Sequence, residues 1–105
     1  TGHTILHEAI LFKQSLLVQF LVKHNVDPTI KIEKPGTKYH GMDSITYAKL
    51  KVKENKEAFK NLPTDKQNKF KKQFDKNMRE RVSIVSLLEK HKSNYLDKFQ
   101  SNAKK

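Results

Sequence analysis

Gly2-His3-Thr4-Ile5-Leu6-His7-Glu8-Ala9, followed by Leu17-Val18-Gln19-Phe20-Leu21-Val22-Lys23-His24-Asn25-Val26-Asp27-Pro28-Thr29, is the stretch from which the fold of this chain of 105 residues is read. Thr4 stands where a side-chain oxygen caps a helix, and Gly2 ahead of it suits a tight turn. Leu6, Ala9 and Ile10 give a short helix one apolar face, with a small residue where a second helix approaches. Leu17, Val18, Phe20 and Leu21 do the same for that second helix. Asn25 closes it, asparagine being the next-best residue after glycine for a left-handed helix end.

This helix-turn-helix unit, residues 1–29, resembles an ankyrin repeat, whose pattern runs G-x-T-P-L-H-x-A, a short turn, I-V-x-L-L and a turn close to G-A-D-x-N. Ile5 stands in place of the family's proline and Asn25 in place of its glycine, and both positions tolerate the exchange. The resemblance implies that His7 makes structural hydrogen bonds near the turns. It also implies a module that binds other macromolecules and carries no catalysis of its own.

A second, stretched unit spans 41–94. Gly41-Met42-Asp43-Ser44-Ile45-Thr46-Tyr47-Ala48 aligns with Gly2 to Ala9 at an offset of 39 residues, where the family repeat is ~33. Ile84-Val85-Ser86-Leu87-Leu88-Glu89-Lys90-His91 aligns with Leu17 to His24 at an offset of 67, leaving 28 extra residues between the two helices. Asp43 replaces threonine as the cap, and Thr46 stands at the histidine position. The apolar spacing runs on through the insertion. Ile45, Ala48, Val52, Phe59 and Leu62 form one stripe, with a polar break at Asn55, and Phe70, Phe74, Met78, Val82, Val85 and Leu88 form another. Pro63 stops a helix, and Thr64-Asp65-Lys66-Gln67 is a capping-box signature. The spacing predicts two elongated helices joined near Pro63, an antiparallel hairpin projecting roughly 20 Å beyond the repeat. Phe59, Phe70 and Phe74 are expected in its core, with Phe74→Ala costing on the order of 3 kcal/mol or more.

Between the units, Ile30-Lys31-Ile32-Glu33 alternates, Pro35-Gly36 signals a turn, and Thr37-Lys38-Tyr39-His40 can return alongside. Residues 30–40 are read as an extended, β-hairpin-like finger, against the alternative of a flexible loop. Ser93 and Asn94 are expected to end the second repeat. Residues 95–105 follow as a cap and tail, in which Tyr95, Leu96 and Phe99 form a short helix on Leu87 and His91. The fold class is therefore all-α, with ankyrin-type repeats, a finger and an elongated hairpin. Two units are fewer than the ~3 that repeat proteins usually need, so the expectation is a single domain or the C-terminal part of a longer array.

Cysteine is absent, which removes disulfide and thiol chemistry, and no apolar run approaches membrane-spanning length. The expected setting is intracellular and cytoplasmic, the cytosol of a host cell being the other setting in view for a delivered effector. The net charge of +11 divides as +1 over residues 1–48, +7 over 49–81 and +3 over 82–105. A basic projection attracts an acidic protein surface, nucleic acid or anionic lipid. The candidate anion-binding residues on it are Lys49, Lys53, Lys56, Lys60, Lys66, Lys69, Lys72, Lys76 and Arg79. Lysine predominates, a hydrated point charge that favours general attraction over sequence reading.

Enzyme chemistry finds no support. Ser15 and Ser44 lack a recognisable base, and there is no Gly-rich phosphate loop. His3 and His7, with His24 or His40, would make a weak metal set unsupported by cysteine or clustered carboxylates, so neither metal nor cofactor is expected. The expected function is binding another protein, with nucleic acid or an anionic surface on the hairpin as the alternative. By the resemblance, partners meet the first helix of each repeat and the finger tips. Those positions are His3, Glu8, Leu11 and Phe12; then Met42, Tyr47, Leu50 and Lys51; and in the finger Lys31, Glu33, Lys34, Lys38, Tyr39 and His40. Tyr39 and Tyr47 are the expected exposed anchors.

Overall fold

Residues 4–103 are described by a computed structural model, with side chains through Lys98. The order is α1 (Ile5–Leu11), α2 (Ser15–Lys23), α3 (Ser44–Lys60) and α4 (Thr64–Ala103). The protein is all-α, with no strand among the described residues. His3 lies outside them, as do Gly2 and the side chain of Phe99.

Each helix begins and ends for a local reason. Thr4 Oγ1 accepts from the His7 backbone N–H at 3.2 Å, and Asp43 Oδ1 accepts from that of Thr46 at 2.9 Å, satisfying N-terminal donors that lack an intrahelical partner. Burial pushes the Asp43 carboxyl up, but the Thr46 N–H and the Lys92 ammonium outweigh it and hold the pKa below the ordinary value. Helices α1 and α2 close alike. Lys13 at φ 54° and Asn25 at φ 62° enter the left-handed region. The next residues then return N–H bonds into the last turn, Gln14 to Ala9 O at 2.9 Å and Val26 to Leu21 O at 3.0 Å. Asparagine suits that conformation. Lysine at 13 carries the steric cost of a Cβ there and gave no warning in the sequence.

The helices pack as two pairs. Helix α1 lies against α2 and α3, α2 lies against α4, and α3 runs along α4. Leu6, Ala9, Ile10, Val18, Ile45, Tyr47, Ala48, Ile84 and Leu88 are buried between them, joined by Ile32 from the loop. Backbone carbonyls at the edges of this core are closed by side chains from the other pair. Ser44 Oγ donates to Pro28 O at 2.8 Å, and His91 Nε2 donates to Val26 O at 2.6 Å. Arg81 Nη1 and Nη2 donate to Ile10 O and Leu11 O at 3.2 and 3.3 Å. This guanidinium, 8% exposed, puts a cation at the negative end of α1, although burial lowers its pKa.

Beyond the core, α3 and α4 continue as an arm with a break at 61–63, where Pro63 was expected to stop the chain. The capping box does not form. Gln67 Nε2 instead reaches back to the carbonyls of Phe59, Lys60 and Leu62 at 3.0–3.2 Å, closing the C-terminus of α3. Phe59 and Phe74 stack at 4.1 Å between ring centroids. Phe70, expected in the core, is 43% exposed.

Two further expectations are corrected. The segment 30–40 is not a β-hairpin. Only Ile32 pairs across it, its N–H donating to Met42 O at 2.9 Å and its carbonyl accepting from Gly41 N–H at 2.8 Å. The returning limb is consumed by consecutive turns, Thr37 N–H to Lys34 O, His40 N–H to Thr37 O and Met42 N–H to Tyr39 O, which use the donors a second strand needs. Nor does a turn form at Ser93 and Asn94, because α4 runs unbroken through Ala103. The position corresponding to Asn25 is Lys92, and residues 92–94 include no glycine, no proline and no positive φ.

Candidate functional site

The finger is the most elaborately held surface of the molecule. Ile32 anchors its stem in the core, 0% exposed, and Lys34 N–H donates to His40 Nδ1 at 3.1 Å. Its tip is tied to α3 through Glu54, which accepts hydrogen bonds from Lys38 and from the Tyr39 hydroxyl, and pairs with Lys51 at 3.2 Å. Lys51 also donates to Tyr39 Oη at 3.2 Å and lies 4.7 Å from the centre of that ring. The hydrogen bond from Lys38 holds the Glu54 carboxyl below its ordinary pKa against the opposing effect of burial, with Lys51 adding to the lowering.

The expected partner-binding residues separate on this geometry. Glu8, Phe12, Lys31, Glu33, Lys38 and His40 are exposed, Phe12 at 64%. Leu11, Lys34, Tyr39, Met42, Leu50 and Lys51 are half-buried. Tyr47, expected as an exposed anchor, is 1% exposed and lies edge-on to His7 and Tyr39 at centroid distances of 5.6 and 5.4 Å. It is core. His7 accepts from Thr4 Oγ1 at Nδ1, 2.7 Å, and donates from Nε2 to Met42 O at 3.2 Å, linking the start of α1 to the end of the finger.

The arm carries the second candidate surface. Lys53, Lys56, Lys60, Lys66, Lys69, Lys72, Lys76 and Arg79 are all exposed, as is Lys49. Lys49, Lys53, Lys56 and Lys60 recur every three or four residues on α3, and Lys69, Lys72, Lys76 and Arg79 do so on α4. They form two strips on two helices. Beside them, Lys13, Arg81 and a lining of aromatic and amide side chains shape an open groove of about 380 Å³ between α3 and α4. Neither Arg81 as a buried clamp nor Gln67 as a clasp was anticipated. An arginine in a basic segment looks like one more surface charge until the fold sets a helix end against it.

Among the described residues no group of three or more His, Cys, Asp and Glu side chains is placed to hold a metal ion. No helix there is long and apolar enough to cross a membrane. No family model matches the sequence, and searches of curated proteins and of solved structures give no match.

Proposed function

We propose that this chain is an ankyrin-type scaffold that binds a protein partner through α1 and the finger. The single observation that carries the reading is the finger itself. A segment with no regular structure is held by a buried isoleucine and a four-residue network on α3, yet presents Lys31, Glu33 and His40 to solvent. Irregular segments fixed on a rigid base are where proteins place recognition groups. Phe12, at the C-terminal end of α1, supplies a large exposed ring of the kind that anchors interfaces.

The ankyrin reading is supported by the stacking of two helix pairs, the shared left-handed endings of α1 and α2, and the structural hydrogen bonds of His7. On the same reading the chain fits as part of a longer array. Ile5, Phe20 and His24 occupy, at offsets of 39 and 67, the positions of Ser44, Leu87 and His91 in the second pair. Ser44 and His91 bond to the first pair, whereas Ile5 and Phe20 are each 57% exposed, so a preceding pair would find apolar surface to cover.

The test is affinity capture with the wild-type chain and a Phe12→Ser, Lys31→Glu, Glu33→Lys variant whose thermal melt is unchanged. A protein retained by the first and lost from the second supports the reading. Identical captured sets would remove α1 and the finger as the binding surface.

A further inference from the structure

The groove between α3 and α4 has a composition that protein binding at the finger does not use. We propose that it binds single-stranded nucleic acid, with Phe70 as the platform on which a base stacks. Phe59 and Phe74 already cover each other's faces, 4.1 Å apart and 16° from parallel. Phe70, beside them in the same groove, is 43% exposed, and among the described residues its ring contact is the Lys69 ammonium, 5.5 Å from the centroid. An aromatic face left open beside a cation is the element that single-strand binders use for stacking, and every base offers the complementary face.

The rest of the lining supplies the other contacts. Gln73 Nε2 donates to Asn77 Oδ1 at 3.2 Å, an exposed amide pair in the groove lining. Amide side chains carry both donors and acceptors, the groups that read the edge of an unpaired base. Lys13 stands at the inner end of the groove, where the buried Arg81 guanidinium is already engaged by the Ile10 and Leu11 carbonyls, while Lys66, one helical turn before Phe70, is exposed toward the outer end. Phe70 to Arg81 spans about 17 Å at ~1.5 Å per residue, room for a short run of backbone phosphates between Lys13 and the lysines at 66 and 69. The excess of seven positive charges over residues 49–81 draws a polyanion to this arm. Glu54 on α3 and Glu80 on α4 both act on Arg81 at the inner end, and these acidic groups limit the track to the Phe70 side. An acidic amphipathic helix is the competing occupant, since Phe59, Leu62, Phe70 and Phe74 also line the groove; the amides of Asn55, Gln73 and Asn77 set among these rings favour a base over a continuous apolar helix face.

The experiment is fluorescence anisotropy of a labelled oligouridine, and of a duplex of equal length, at about 0.15 M salt. The single strand should bind more tightly than the duplex. Phe70→Ala should weaken it about tenfold with little change in salt dependence. Phe70→Trp should retain binding, and, since the chain has no other tryptophan, quenching of its fluorescence reports stacking directly. Equal affinity for both nucleic acids, or Phe70→Ala binding as well as wild type, would reduce the lysines to general polyanion attraction and overturn the proposal. Absence of oligouridine binding, with tight binding of an acidic helical peptide that depends on Phe70, would overturn it in favour of that partner.

Discussion

The base of the molecule and its arm are built from the same two helices, α3 and α4, yet they are held in different ways. At the base, Ile45, Tyr47, Ala48, Ile84 and Leu88 are buried against α1 and α2. From residue 49 to residue 80 no side chain is buried at all. The arm is a pair of helices sharing one partly covered apolar stripe, one stacked ring pair and one glutamine clasp. Apolar periodicity looks alike in both halves, because it reports which face a helix turns inward. How deeply that face is covered depends on having a second layer, and only the base has one.

The contrast is broken most sharply at Tyr47. Tyr47→Ala should cost roughly 4 kcal/mol and lower the Tm of the whole chain, since the ring fills the space between His7 and Tyr39. A change under ~1 kcal/mol by denaturant titration would mean that the base is no better packed than the arm. Arg81→Met should cost about 2 kcal/mol by uncovering the Ile10 and Leu11 carbonyls, and amide exchange should quicken at the end of α1.

In the arm, Phe74→Ala should cost about 1.5 kcal/mol, less than expected for a core ring, because Phe74 is only half-buried and keeps one stacking partner. Amide exchange should accelerate between residues 55 and 75 while the base keeps its protection. A global loss of protection would show that the two halves unfold as one.

The smallest effect concerns the finger. The Glu54 pKa is lowered in the fold, so its contribution is present above its ordinary value of 4.5 and is lost as pH falls through the lower folded value. That contribution is small, because the pair is open to solvent. Titration from pH 7 to pH 3, followed by NMR at Lys38 and Tyr39, should show release of the finger tip. Glu54→Gln should remove the pH dependence, and persistence of the transition would assign it to another group.

Much of this architecture was legible in the residues. Caps at Thr4 and Asp43, the left-handed Asn25 and the stop at Pro63 are short-range signals, decided within four residues by backbone chemistry. The misread features depend on neighbours distant in sequence. Tyr47 has an exposed-looking context of lysine and threonine, and only the approach of α1 and the finger buries it. The 30–33 alternation holds only at Ile32, which is buried while Ile30 is 46% exposed, and one inward residue makes no sheet without donors free on the other limb. Phe70 sits on an apolar stripe and is left open because no layer covers the arm. On the site, the exposure of the arm lysines followed from their type and that of Phe12 from its place in the repeat pattern, while the network joining Lys38, Tyr39, Lys51 and Glu54 required the finger to fold across α3.

The unbroken course of α4 has a mechanical consequence. Because it passes from the buried base to the far turn without a hinge, it acts as a lever whose fulcrum is the clamp of Arg81 on α1. Thr64 lies about 26 Å beyond that fulcrum at ~1.5 Å per residue. A tilt of some ten degrees at the clamp therefore sweeps the turn through roughly 4–5 Å by that reach, and a ligand seated along the arm feels, amplified, any adjustment that a partner makes at α1.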